Sequence, residues 1–80
     1  MSDDFRFDGK LIYRFMNRRR AVYDIRGRQI YKRGGSGPPL YEIRGDDIYI
    51  AFTNTSAEFE IHGNKIRKPN SNDAALFEIL

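Results

Sequence analysis

The densest chemistry in this sequence is cationic. Arg18, Arg19 and Arg20 are consecutive, and Arg14, Lys32 and Arg33 are nearby in sequence. Guanidinium and ammonium groups gathered in this way suit the oxygens of phosphate or sulfate chains, and Tyr13 and Tyr31 add flat faces on which bases or sugars could stack. Tyr49 extends that series at the same interval of 18 residues. Two blander roles compete. The arginine run could be a solubilising loop that keeps an adjoining apolar strand from aggregating, and the net charge of +3 is modest for a nucleic-acid footprint. The tyrosines could be packing residues, as aromatics on sheets most often are.

Residues suited to covalent or acid–base chemistry are few. The chain has no cysteine, so it has no thiol nucleophile, disulfide or thiolate metal site. Its one histidine, His62, precedes Gly63 at a place where Asp8, Arg26 and Arg44 precede Gly9, Gly27 and Gly45, which marks it as a polar turn residue. Ser36, Ser56 and Ser71 lie between apolar runs with no base beside them. Asp46 and Asp47 are adjacent carboxylates without the further oxygen ligands a calcium loop needs. Gly34-Gly35-Ser36-Gly37 lacks the Lys-Ser/Thr sequel of a phosphate loop. The expectation is a protein without catalytic, cofactor or metal sites.

The elements that must position these residues follow from composition and periodicity. A chain of 80 residues, 40% hydrophobic, 14% aromatic and 31% charged, folds as one small domain around a thin core. Charge is unevenly spread: residues 1–40 hold ten Lys/Arg against four Asp/Glu, and residues 41–80 hold four against seven. No apolar run approaches the ~20 residues of a transmembrane helix, and Met1-Ser2-Asp3-Asp4 opens acidic rather than basic, so a cytoplasmic location is the default expectation.

Gly9, Gly27, Gly45 and Gly63 recur every 18 residues. Counted from four residues before each glycine, the units are 5–22, 23–40, 41–58 and 59–76, and residues 77–80 begin another. The first position is always aromatic (Phe5, Tyr23, Tyr41, Phe59, Phe77). The third is large and apolar (Phe7, Ile25, Ile43, Ile61, Ile79), and the eighth is isoleucine (Ile12, Ile30, Ile48, Ile66). Runs such as Tyr41-Glu42-Ile43 alternate with the period of a half-buried strand, and the glycine supplies the positive φ of a tight turn. A turn over Arg44-Gly45-Asp46-Asp47 sets Ile43 opposite Ile48 and Tyr41 opposite Ile50.

The resulting expectation is an all-β domain of four tandem β-hairpins plus a C-terminal strand. First, third and eighth positions build its core, while Arg14, Lys32, Ile50 and Lys68 rim it. A β-solenoid of three hexapeptides per coil is the alternative, but its third side would carry Arg19, Gly37, Thr55 and Asp73, which cannot fill a core. The segment Gly34-Gly35-Ser36-Gly37-Pro38-Pro39 resembles a linker, yet its phase within the repeat makes it a connecting loop. Around its four spaced glycines the chain resembles small bacterial domains called four-fold β-flowers, in which four hairpins surround a pseudo-fourfold axis; the resemblance implies a fold and no functional residues.

Counting Phe5-Arg6-Phe7 as the first strand gives nine strands. The outermost two then run in the same direction, and an open sheet could pair weakly with a second copy through its terminal strands. One short helical turn is the most that residues 72–75 could add. Functionally, the sequence points to a non-catalytic interaction module with a protein or glycan partner. The alternative is a polyanion or nucleic-acid binder using Tyr13, Arg14, Arg18, Arg19, Arg20, Tyr31, Lys32, Arg33 and Tyr49.

Overall fold

The computed structural model describes residues 5–70 and 74–80. The helical turn expected over residues 72–75 lies largely outside them. Eight strands form one closed antiparallel barrel in sequence order: β1 (Leu11–Arg14), β2 (Tyr23–Arg26), β3 (Gln29–Lys32), β4 (Tyr41–Arg44), β5 (Asp47–Ile50), β6 (Phe59–His62), β7 (Lys65–Arg67) and β8 (Phe77–Ile79). Antiparallel neighbours throughout exclude the solenoid. The loop over residues 33–40 joins β3 to β4, which are hydrogen-bonded partners in the same sheet.

Each tight hairpin is set by its glycine. Arg26 pairs with Gln29, Arg44 with Asp47 and His62 with Lys65, so two residues remain in each turn. The first of the two is Gly27, Gly45 or Gly63, at φ of 65°, 62° and 67°. The second, Arg28, Asp46 or Asn64, is not among the positive-φ residues. That combination is the type II′ hairpin, whose twist matches that of the flanking strands. Ile43 then falls opposite Ile48 and Tyr41 opposite Ile50, as the alternation requires.

Inward positions stack in three layers. Ile25, Ile43, Ile61 and Ile79 form the layer nearest the turns, and Ile12, Ile30, Ile48 and Ile66 form the next. The third layer is a ring of aromatics, Tyr23, Tyr41, Phe59 and Phe77, each packed edge-to-face on the next with centroids 5.8–6.0 Å apart. Cross-strand pairing explains the stack, because every eighth-position isoleucine faces an isoleucine on one side and an aromatic on the other.

The ends of the chain depart from the nine-strand expectation. Phe5-Arg6-Phe7 is not a strand: it forms a tight turn in which Asp8 N–H donates to Phe5 O at 3.0 Å. Its expected place beside β1 is taken by β8, with Ile12 opposite Ile79 and reciprocal bonds between Leu11 and Leu80 of 3.1 and 2.9 Å. An even number of strands lets the sheet close antiparallel, which satisfies both outer edges at once. With β1 and β8 paired to each other, the parallel seam and the exposed edges that motivated pairing through the terminal strands are absent. Phe7 serves the core in another way. Gly9 N–H donates to Ile25 O, Gly27 N–H donates to the Asp8 carboxylate, and Arg6 reaches Gly45 O and Asp46. These bonds tie the segment across the turn end of the barrel, where Phe7 is buried against the isoleucines as a plug.

Candidate anion-binding face

Outward positions of the strands form a belt in which acids, bases and tyrosines are matched. Asp24 meets Arg26 at 3.4 Å, Glu42 meets Arg44 at 2.7 Å and Glu60 meets His62 at 3.2 Å, each two residues apart on one strand face. The same arginines lie over the rings across from them, Arg26 on Tyr31 at 4.6 Å and Arg44 on Tyr49 at 4.8 Å. Tyr31 also donates to Gln29 Oε1. Two of the three candidate stacking platforms are therefore partly covered by the protein's own cations. Tyr13, half-buried, stands opposite Glu78 instead. The bonds from His62 and from the Asn70 backbone N–H hold the Glu60 carboxyl below the usual range.

Glu78 differs from its three counterparts because its side chain is 2% exposed. Arg18 reaches over from the first loop and donates through Nε and Nη2 to both carboxylate oxygens, at 2.9 and 3.1 Å. Lys65 Nζ approaches Oε2 at 3.3 Å from the neighbouring strand. These partners, Arg18 foremost, outweigh desolvation and hold the Glu78 carboxyl below its ordinary range, while Arg18 is raised in turn. Arg18 is thus engaged in fastening the first loop to the closing strand, and the arginine run contributes Arg19 and Arg20 to solvent.

The four connecting loops all leave the barrel at the end opposite the glycine turns. That loop end carries Arg14, Arg19, Arg20, Lys32, Arg33 and Lys68, all exposed, and Arg18 beside them. Against these seven cations stand Glu58 and, in sequence, Asp73. Since the whole chain carries +3, the positive charge is concentrated at this end and the remainder is slightly acidic.

The loop end is also where apolar side chains meet water. Of the exposed large hydrophobics, Met16, Leu40, Ile50, Phe52 and Leu76 lie here, and Phe5 and Leu80 at the other end. Met16 and Phe52 are the extremes, at 83% and 80% exposure. Both also have positive φ, 69° and 64°, a conformation that bulky side chains rarely adopt. The equivalent residues of the other loops are Gly34 and Asn70, the types that this region favours. Met16, Gly34 and Phe52 are each the third residue of a turn that begins at the end of a strand, where Arg14 O accepts from Asn17 N–H, Lys32 O from Gly35 N–H and Ile50 O from the Thr53 hydroxyl.

Of the candidate residues read from the sequence, Arg14, Arg19, Arg20, Lys32 and Arg33 lie exposed at this end. Sequence reasoning placed Lys68 at the rim without counting it in the candidate surface and did not single out Met16 or Phe52, although aligning Gly34 and Asn70 with them at the 18-residue interval would have exposed the anomaly.

Concave chemistry is sparse. The axial cavity under the aromatic ring has a volume of about 10 Å³ and is lined by Ile12, Ile30, Ile48, Ile66 and the four rings, which leaves room for roughly one water and no small molecule. Open grooves of about 520 and 530 Å³ flank Phe15 at the seam between β1 and β8. At the turn end Asp46, Asp47, Glu60 and His62 line a shallow hollow, but among the described residues no group of three such side chains converges as a metal site would require. No family profile, curated protein or solved structure matches this chain.

Proposed function

We propose that this protein is a non-catalytic interaction module that meets an anionic partner through the loop end of its barrel. The observation that carries this reading is the separation of functions along the barrel axis. Asp24, Glu42, Glu60 and Glu78 on the strand faces are paired with basic side chains, whereas Arg14 and Lys32 at the ends of β1 and β3 and Arg19, Arg20, Arg33 and Lys68 on the loops stand exposed with a single nearby acid, Glu58, among the described residues. A cluster of one sign held on a rigid scaffold attracts anions and speeds their encounter. The barrel axis is filled, with a cavity of about 10 Å³ under the aromatic ring, so the loop end and not the interior is the surface offered to a partner.

Heparin chromatography tests the assignment. Arg19→Ser/Arg33→Ser and Lys10→Ser/Arg44→Ser remove the same net charge from opposite ends of the barrel. The wild type should be retained and released steeply by salt, and the loop-end pair should make the salt slope shallower by roughly one for each anion-pairing cation removed. The turn-end pair should elute nearly as the wild type does. Equal effects from both pairs would reduce the interaction to net charge and defeat the assignment.

A further inference from the structure

Building on this reading, we infer that the anionic partner is a lipid membrane surface, with Met16 and Phe52 as the side chains that enter it. Three observations lead there. First, the two residues hold apolar side chains almost wholly in water on backbone that favours glycine or asparagine, which is what Gly34 and Asn70 provide in the other loops. Folding alone gives no reason for that choice. Secondly, they are level with each other. Met16 follows β1 and Phe52 follows β5 by the same two residues, and β1 and β5 are four strands apart in a ring of eight. The two side chains therefore stand at one height on opposite sides of the barrel, with Leu40, Ile50 and Leu76 exposed at the same end.

Thirdly, cations share their end of the barrel, beside Met16 and on the two loops that flank the Phe52 loop, which itself carries no Lys or Arg. Arg14, Arg19, Arg20, Lys32, Arg33 and Lys68 place positive charge where phospholipid headgroups would lie once the tips enter the interface. Apolar tips at an end with an excess of exposed cations fit an anionic bilayer better than the other candidates. A second copy of this chain would oppose like charges across the contact. A nucleic acid could use Phe52 for stacking but finds no ring at Met16. Binding is peripheral, since strands of three or four residues fall far short of the ~9–11 residues of a membrane-crossing strand.

The test uses vesicles of phosphatidylcholine alone and of phosphatidylcholine with phosphatidylserine at about one part in four, the latter giving a negative surface potential. Because the chain has no tryptophan, Phe52→Trp reports insertion without background. Its emission should shift to the blue with the phosphatidylserine vesicles and be quenched by lipids brominated in the acyl chain. Met16→Gly/Phe52→Gly should lose at least about tenfold in vesicle affinity, the scale of two apolar side chains left in water. Its melting temperature should hold or rise, since glycine relieves both turns, so lost binding cannot be ascribed to unfolding. An unshifted Phe52→Trp spectrum, or glycine variants that bind as the wild type does, would overturn the inference. If heparin is retained through the loop end while vesicles are ignored, the lipid assignment fails alone and the partner is a soluble polyanion. Loss of both withdraws the anionic face as well.

Discussion

Glycine and its substitutes decide the local geometry, and they do so differently in the two kinds of turn. Gly45, at φ 62°, has no atom within contact range of the place a Cβ would occupy, so a side chain there would meet backbone strain and not a clash. Gly45→Val should therefore destabilise by more than the ~1 kcal/mol of an ordinary propensity change, and Gly35→Ala, with no positive φ to maintain, should be nearly neutral in urea melts. In the loop turns the sign reverses. Met16→Gly and Phe52→Gly should each raise stability by about 0.5–1 kcal/mol, whereas Met16→Ala, which retains the strained Cβ, should bring no such gain. These glycine spacings were plain in the sequence for the hairpins. The loop turns escaped notice because their four residues, Met16, Gly34, Phe52 and Asn70, share a backbone conformation and no chemistry.

Among single residues, Glu78 gives a pH signature. Its carboxyl is held below the ordinary glutamate value of about 4.3 by Arg18 and Lys65. A depressed folded-state value contributes stability that is present above the unfolded value and lost as pH falls through the folded one. Stability should therefore drop on acidification below about pH 4.3, and Glu78→Gln should flatten that part of the profile. Glu60, also lowered, should leave a smaller residual slope in the variant. Nothing local in sequence announced this site, since Arg18 and Glu78 are 60 residues apart and Glu42 and Glu60, at equivalent positions, remain partly exposed.

At the scale of strands and hairpins, the third and eighth positions read correctly as core because alternation, turn length and side-chain type all agree for β2 to β7. The error concerned Phe5-Arg6-Phe7, whose aromatic-x-apolar pattern is that of every first strand. Two segments, 5–7 and 77–79, competed for one slot beside β1, and only closure of the whole ring selects between them. The C-terminal copy wins because it brings Ile79 opposite Ile12 while freeing Phe7 to seal the turn end. Deleting residues 77–80 should therefore remove a barrel stave, one ring of the aromatic layer and the Glu78 tether together. The truncated chain should fail to show a cooperative melt by circular dichroism. Retention of a wild-type melt would mean that the N-terminal segment can take the vacant place. Within the intact barrel, Ile43→Ala should cost about 2–5 kcal/mol in urea, as expected for a fully buried side chain with close-packed neighbours.

For the molecule as a whole, the barrel separates labour between its ends. Tight glycine turns, an N-terminal plug and paired charges finish one end, and four longer loops, three of them with exposed cations and two with exposed apolar tips, finish the other. Because the barrel follows sequence order, the charge asymmetry visible along the sequence becomes an asymmetry around the loop end: the first two loops carry most of the cations on one side, and the third, with Glu58 and no Lys or Arg, lies on the other. The central claim is that this loop end is the contact surface for an anionic partner. Titrating the 15N-labelled protein with a short heparin oligosaccharide, and separately with phosphatidylserine-containing bicelles, tests it directly through amide chemical shifts. Residues 14–20, 32–37 and 51–55 should move, and the amides of Gly27, Gly45 and Gly63 should hold still. Shifts centred on those glycines, or none with either ligand, would contradict the account.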